Sequence, residues 1–265
     1  MRMFDKVGVT ARNAIVLALG AAVLAGCAQS NRPSPQQLKR IDRALKIAPG
    51  AAQPSDIVAT EIAFARTAQA QGQWIAFAQY GAPSAQLHRS QGPVSAQGWL
   101  ASQSNPEVAN SWASRSVVMS CDGALAASQG RYATPQGLVG TYVTIWQRQQ
   151  NGDYLYVHDV AGLDDPQPER RNQEALPEGA IVVTAIDSIR GLVADCPRDR
   201  SNLTAPPAIS LSVDGAQGAK LSRDGTLRWR WEHRVDGTKY IAVEFFSGGQ
   251  WQTALEETFV SPNGL

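Results

Sequence analysis

Residues 140–162 read GTYVTIWQRQQNGDYLYVHDVAG, two runs of strand-like alternation joined by Asn151-Gly152. That dipeptide is the strongest two-residue hairpin signal. Pairing outward from Gln150 and Asp153 sets Arg148 against Leu155, Trp146 against Val157 and Thr144 against Asp159, on the face that carries Tyr142. The other face pairs Gln147 with Tyr156, Ile145 with His158 and Val143 with Val160. A sheet with one solvated face shows polar residues at every second position. Both faces here are apolar or aromatic, so both must be covered. One needs a helix and a pocket against it; the other needs the chain's own later strands or a second subunit in a homodimer.

The rest of the chain offers such elements. Pro54-Ser55-Asp56 opens a helix, with Ser55 as cap and Asp56 near the positive end of the dipole. Ile57, Ile62, Phe64, Ala68, Ile75 and Ala78 keep near-helical spacing to Tyr80; Gly72 bends the helix and Gly81-Ala82-Pro83-Ser84 stops it. A shorter helical piece at 97–100 is anchored by Trp99. Strands are read at 115–120 and 124–132, turning at Asp122-Gly123, and then at 138–150 and 153–161. Residues 163–179 are polar and Pro-rich, and strand-like AIVVTAI and IRGLVADC follow. Beyond 208, Asp224-Gly225, Asp236-Gly237 and Gly248-Gly249 punctuate a meander. In LRWRWEHR, Leu227, Trp229, Trp231 and His233 share one face while Arg228, Arg230, Glu232 and Arg234 share the other. So few strands with one apolar face must pack on something.

The N-terminus sets the compartment. Arg2, Lys6 and Arg12 precede the apolar run AIVLALGAAVLAG, which is too short to span a bilayer and fits a secretory signal. It ends in Leu24-Ala25-Gly26-Cys27, which resembles a bacterial lipobox and implies a diacylated Cys27 as first mature residue. With Ala28 next, the resemblance implies an outer-membrane anchor facing the periplasm. Loss of residues 1–26 removes three basic residues and Asp5, taking 24 basic and 23 acidic residues to 21 and 22. The remaining Cys121 and Cys196 read as a disulfide in an oxidising compartment. A near-neutral chain with no block of like charge argues against nucleic-acid binding. The organisation read is a signal peptide at 1–26, a tether with a short basic helix at 27–53, a main domain at 54–162, a linker with short strands at 163–207 and a β-meander at 208–265.

One helix, a shorter helical piece and a run of strands make an α+β layout. The segments EIAFARTAQAQGQWIAF, MSCDGALAASQGRY and the 140–162 hairpin resemble the nuclear transport factor 2-like superfamily, with its ketosteroid-isomerase-like and polyketide-cyclase-like (SnoaL-like) members. A closer likeness is to uncharacterised lipobox-bearing lipoproteins of Gram-negative bacteria. The resemblance, over residues 54–162, implies a cone: a curved antiparallel sheet around a long N-terminal helix, with a pocket inside and the β-rich meander after it.

Enzymes of that superfamily use a carboxylate as proton shuttle with Tyr or acidic donors opposite. Asp159 with Tyr142 on the same face is the matching pair, and Trp146 shares that face as a candidate ligand stacker. Other readings stand beside these: Asp159 bonding backbone at a strand end, Trp146 and Tyr156 as core, His158 packed on the far side. The helix offers no carboxylate beyond Asp56 and Glu61, a departure from the isomerase pattern that favours binding over catalysis. There is no HExxH, GxSxG, Walker, CxxC or GxGxxG motif, and three His leave little scope for zinc, so no metal or other cofactor is expected. The resulting expectation is an envelope lipoprotein binding a small apolar ligand or an envelope partner. A cofactor-independent isomerase or cyclase and a structural envelope component are the alternatives.

Overall fold

Pro54 sits at the first helical position, where its missing N–H costs nothing and its φ suits the helix. Helix α1 (Pro54–Gln71) therefore starts two residues earlier than a Ser55 cap would require; Gln53 is the capping position and makes no side-chain bond. The computed structural model describes Ser34, Gln36 and residues 51–168, 188–197, 203–209 and 215–260. The signal segment with Cys27, the basic helix of the tether and the AIVVTAI strand lie outside the described residues. Every element below belongs to one compact unit, residues 45–265.

Gly72 does more than bend the helix. Its φ of 116° is open to glycine, it ends α1, and α2 (Gln73–Tyr80) starts afresh. A Cβ there would lie 2.6 Å from the Asn105 side chain, whose Oδ1 accepts the Trp74 N–H at 2.7 Å. Where Gly81 and Pro83 read as a break, the chain instead enters β1 (Gly81–Arg89), then β2 (Gly92–Ser95) and the short α3 (Ala96–Leu100). Pro83 falls between the paired residues Gly81 and Gln86, where the ladder is irregular and its N–H is not needed.

Strands β3 (Ser111–Met119), β4 (Leu125–Ala133), β5 (Val139–Arg148) and β6 (Tyr154–Leu163) form an antiparallel meander. With β7 (Arg190–Val193) the first sheet runs β2-β1-β6-β5-β4-β3-β7. It is mixed, not antiparallel: β1 lies parallel to β6 and β7 parallel to β3, because both reach their neighbours through long connections rather than hairpins. A second, antiparallel sheet follows: β8 (Gly215–Leu221), β9 (Leu227–Arg234), β10 (Lys239–Ser247) and β11 (Gln250–Phe259), in order β11-β10-β9-β8. A disulfide joins Cys121 and Cys196, Cα atoms 5.2 Å apart.

The hairpin turns through three residues, not two. Gln149 N–H donates to Asp153 O at 2.7 Å and Gly152 N–H to Gln149 O at 3.0 Å, with Gly152 at φ 94°. A bulge at Val157 then restores the register. From Gly140↔Leu163 to Ile145↔His158 the pairing is that of a two-residue loop, but Trp146 faces Tyr156 and Gln147 faces Leu155. The consequence is that Tyr156 moves to the Trp146 side of the sheet.

That side packs on α1 through Ile57, Phe64 and Ala68, with Trp146, Tyr156 and Met119 from the sheet. The opposite side, with Val143, Ile145 and Val160, packs on Leu227, Trp229, Ile241 and Val243 of the second sheet. Both hairpin faces are thus buried within one chain, and the face a second subunit could have covered carries β9–β11 instead.

The two meanders share their details. Ser120 Oγ donates to Asp122 Oδ1 at 2.7 Å, and Ser222 Oγ to Asp224 Oδ1 at 2.5 Å. In each, the N–H of the following Leu (Leu125, Leu227) donates to that Ser Oγ, at 3.1 and 3.0 Å. A bulge interrupts pairing after Ile145 and, in the second sheet, after Val243. The two turns also touch: the Asp122 N–H donates to Asp224 Oδ2 at 2.8 Å.

Candidate functional site

Between α1–α2 and the first sheet lies a cavity of about 390 Å³. Its walls are mainly aromatic: Phe64 from α1, Trp74 and Phe77 from α2, Trp112 from β3 and Tyr132 from β4. Phe64 organises them, its ring centroid 4.9 Å from those of Phe77 and Trp112. Leu163 and Val260, 44% and 63% exposed, stand at the mouth with Arg89.

Tyr142 and Asp159, two residues off direct pairing on β5 and β6 and so on one face, both line this cavity. Asp159 keeps some accessible surface because the cavity reaches it, although protein surrounds it otherwise. Burial pushes its carboxyl up to about 6, against the hydrogen bond from Thr144 Oγ1 at 2.7 Å and the charges of Lys239 and Arg89. Tyr142 is buried and turned inward, its hydroxyl donating to Glu61 Oε2 at 3.3 Å and lying 3.3 Å from Ser114 Oγ. Trp146 does not reach the cavity. It is fully buried, and its Nε1–H donates to Ser128 Oγ at 2.8 Å, so it supports the site rather than stacking on a ligand.

Glu61 is the residue that sequence reasoning passed over. Ser128 Oγ donates to its Oε1 at 2.5 Å, and Trp112 Nε1–H to its Oε2 at 3.2 Å. With Tyr142 it therefore accepts three side-chain hydrogen bonds while buried. Burial still outweighs them, helped by the charge of Asp159, and lifts its pKa to about 7. The signal was present: Ile57, Glu61, Phe64 and Ala68, spaced four, three and four apart, form the buried stripe of α1. Helical spacing alone put a carboxylate into the core.

His158 lies on the far face, between the sheets, its ring 5.0 Å from that of Trp229 and 5.9 Å from that of Trp231. His88 and His233 complete the cluster, His88 Nε2 and His233 Nδ1 lying 3.2 Å apart. No metal-binding group of His, Cys, Asp and Glu occurs among the described residues. Asp122 is the turn residue described above.

Comparison with known proteins corrects the family reading. No family model matches the chain, and no curated protein matches it. A solved structure that does match is a protein of unknown function with a cystatin-like fold from Methylobium petroleophilum PM1. Identity is 13%, over 52% of this chain and 98% of that one, with a TM-score of 0.32. Membership of the nuclear transport factor 2-like superfamily, and kinship with lipobox-bearing lipoproteins of Gram-negative bacteria, therefore do not stand. The quoted segments are less specific than they look: the Ser-x-Asp-Gly turn of the SCDG segment recurs in this same chain at Ser222–Gly225, with the same hydrogen bonds. What remains is an α+β protein with two sheets, a disulfide and an aromatic cavity.

Proposed function

We propose that this protein binds a small, largely apolar molecule in the cavity beneath α1 and α2, without catalysis. The cavity itself carries the reading: aromatic walls with a few polar groups at one side are the usual make-up of a small-molecule site, and its size is at the low end for one. The covering helices and the bend of the sheet give a cone-like enclosure. Calorimetric titration with 2-naphthamide tests this. Binding is expected for the wild type and its loss for Ala161→Trp, which fills the cavity; an unchanged unfolding midpoint in the variant excludes misfolding. No heat with the wild type sinks the reading.

A proton-transfer enzyme is the second reading, favoured by Asp159, whose carboxyl at about 6 meets the cavity beside Tyr142. Tyr142 already donates its proton to Glu61, which weakens it as a donor to substrate. If Asp159→Asn leaves every turnover signal unchanged, catalysis is dropped. A purely structural envelope component, the third reading, has less support, since the cavity is open at an exposed rim.

For location, we propose a lipid anchor at Cys27 in the outer membrane, facing the periplasm. The basic and apolar N-terminal segment and the Leu-Ala-Gly-Cys ending support it, and the Cys121–Cys196 disulfide fits an oxidising compartment. Radiolabelled palmitate should enter the wild type but not Cys27→Ala; labelling of neither refutes lipidation.

A further inference from the structure

The cavity carries more positive charge than its own carboxylate balances. Two cations line it, Arg89 from β1 and Lys239 from β10, against one carboxylate, Asp159. Among the described residues neither cation pairs with a carboxylate within 4.0 Å. Lys239 Nζ donates to Ala161 O at 2.6 Å, and its remaining N–H groups have no acceptor among the described residues. Arg89 stacks its guanidinium 4.3 Å over Trp99, a contact that holds the group at the mouth and uses none of its five N–H donors. Asp159 takes its hydrogen bond from Thr144 and not from either cation. Cations held beside aromatic walls without a counter-ion cost free energy unless an anion joins them.

We propose that the ligand, on the binding reading above, is a compact ring-bearing organic anion, its rings among Phe64, Phe77 and Trp112 and its carboxylate-like group at Arg89 and Lys239. The geometry selects against a long flexible chain, because the walls are flat rings around a small volume. Other charged groups near the site leave this balance in place. His88 lines the cavity but stays neutral until strongly acid pH, held down to about 3 by burial and then by the neighbouring His158 and Lys239. Glu61 sits behind Tyr142 and is not part of the lining. Asp159, titrating at about 6, opposes a bound anion only while ionised. Lys239, lowered to about 8 by burial and by Arg89, loses its charge above that pH. Anion affinity therefore rises as pH falls through 8 and rises again through 6.

Calorimetry with 2-naphthoate and its neutral isostere 2-naphthamide, on the purified full chain at pH 7.5, tests this. A charge-assisted contact predicts naphthoate binding about tenfold tighter or better. The preference should shrink in Lys239→Gln and in Arg89→Gln, and grow in Asp159→Asn. Because the readout is a ratio of two affinities in one protein, general damage to the cavity does not move it. Arg89, at the exposed mouth, serves if Lys239→Gln fails to fold. Equal affinities in the wild type, or a ratio unmoved by both substitutions, overturn the anion while leaving an apolar site. Binding of neither compound overturns both readings.

Discussion

His158→Phe should stabilise this protein far more at pH 5 than at pH 7.5. All three histidines of the chain meet between the two sheets, and His158 is the most enclosed. Both its ring nitrogens are buried without a partner among the described residues, and its neighbours are Trp229, Trp231 and His88. Asp159 follows it in sequence but points to the other face. A proton placed there meets neither solvent nor counter-charge, so burial drives the pKa from 6.5 to about 3. The folded state keeps His158 neutral while the unfolded chain takes up a proton below 6.5. Its contribution is therefore complete above that pH and is lost as pH falls from 6.5 toward 3. At pH 5 the unfolded chain has gained 1.5 pH units of protonation at a site the folded state leaves empty, which lowers stability by about 2 kcal/mol. At pH 7.5 that loss is close to nil. Phe removes the titrating group and retains an aromatic ring between the tryptophans. Its other effects, including the loss of two unsatisfied nitrogens, act equally at both pH values. Urea unfolding followed by near-ultraviolet circular dichroism, with the disulfide intact, gives the two differences. The substitution should gain about 2 kcal/mol more at pH 5 than at pH 7.5. Equal gains would refute the claim that His158 is neutral in the folded protein.

Glu61→Gln should show the opposite sense. A carboxyl raised from 4.5 to about 7 destabilises the folded state above pH 7 and ceases to do so as pH falls to 4.5. The same unfolding assay should find the variant about 3 kcal/mol better relative to wild type at pH 8 than at pH 4. Replacing Cys121 and Cys196 together by Ser opens a cross-link between residues 75 apart, and the loop-entropy relation gives a loss of about 4 kcal/mol in urea unfolding. Gly130→Ala places a Cβ 2.3 Å from the Ala113 carbonyl oxygen and 2.6 Å from the Tyr142 ring. Backbone cannot yield there cheaply, so a loss of about 2 kcal/mol or more is expected, with weaker naphthoate binding as Tyr142 shifts.

Local signals made much of this fold readable. Strict alternation and Gly-containing turns mark β3–β6 and β9–β11 because both are properties of a few adjacent residues. Non-local features were hidden. Nothing in Gly81-Ala82-Pro83-Ser84 announces a strand, since what makes β1 a strand is its parallel neighbour β6, about 70 residues later. The Val157 bulge cannot be read from a run of alternating residues, yet it decides that Tyr156 faces α1 rather than the second sheet. Likewise Arg89 and Lys239 are 150 residues apart in sequence and meet only through the packing of the two sheets.

The repeated meander shows why strand pattern alone could not identify the site. Counting back five residues from Gln147, the partner of Leu125, reaches Tyr142; counting back five from Phe245, the partner of Leu227, reaches Tyr240. Both tyrosines lie on the face turned away from the inter-sheet core, three residues before Ile145 and Val243, after which their sheet's bulge shifts the ladder. Tyr142 is roofed by α1, so its hydroxyl meets the buried Glu61 and its ring borders the aromatic cavity. Tyr240 has no such helix among the described residues. Its hydroxyl donates to Glu256 at 2.8 Å and accepts from Arg230 at 2.7 Å, within a face of alternating Arg and Glu. The same residue at the same place in the same meander therefore borders an aromatic cavity in one sheet and a self-paired charged surface in the other. What differs is the helix laid across it, and the carboxylate that helix brings to the sheet.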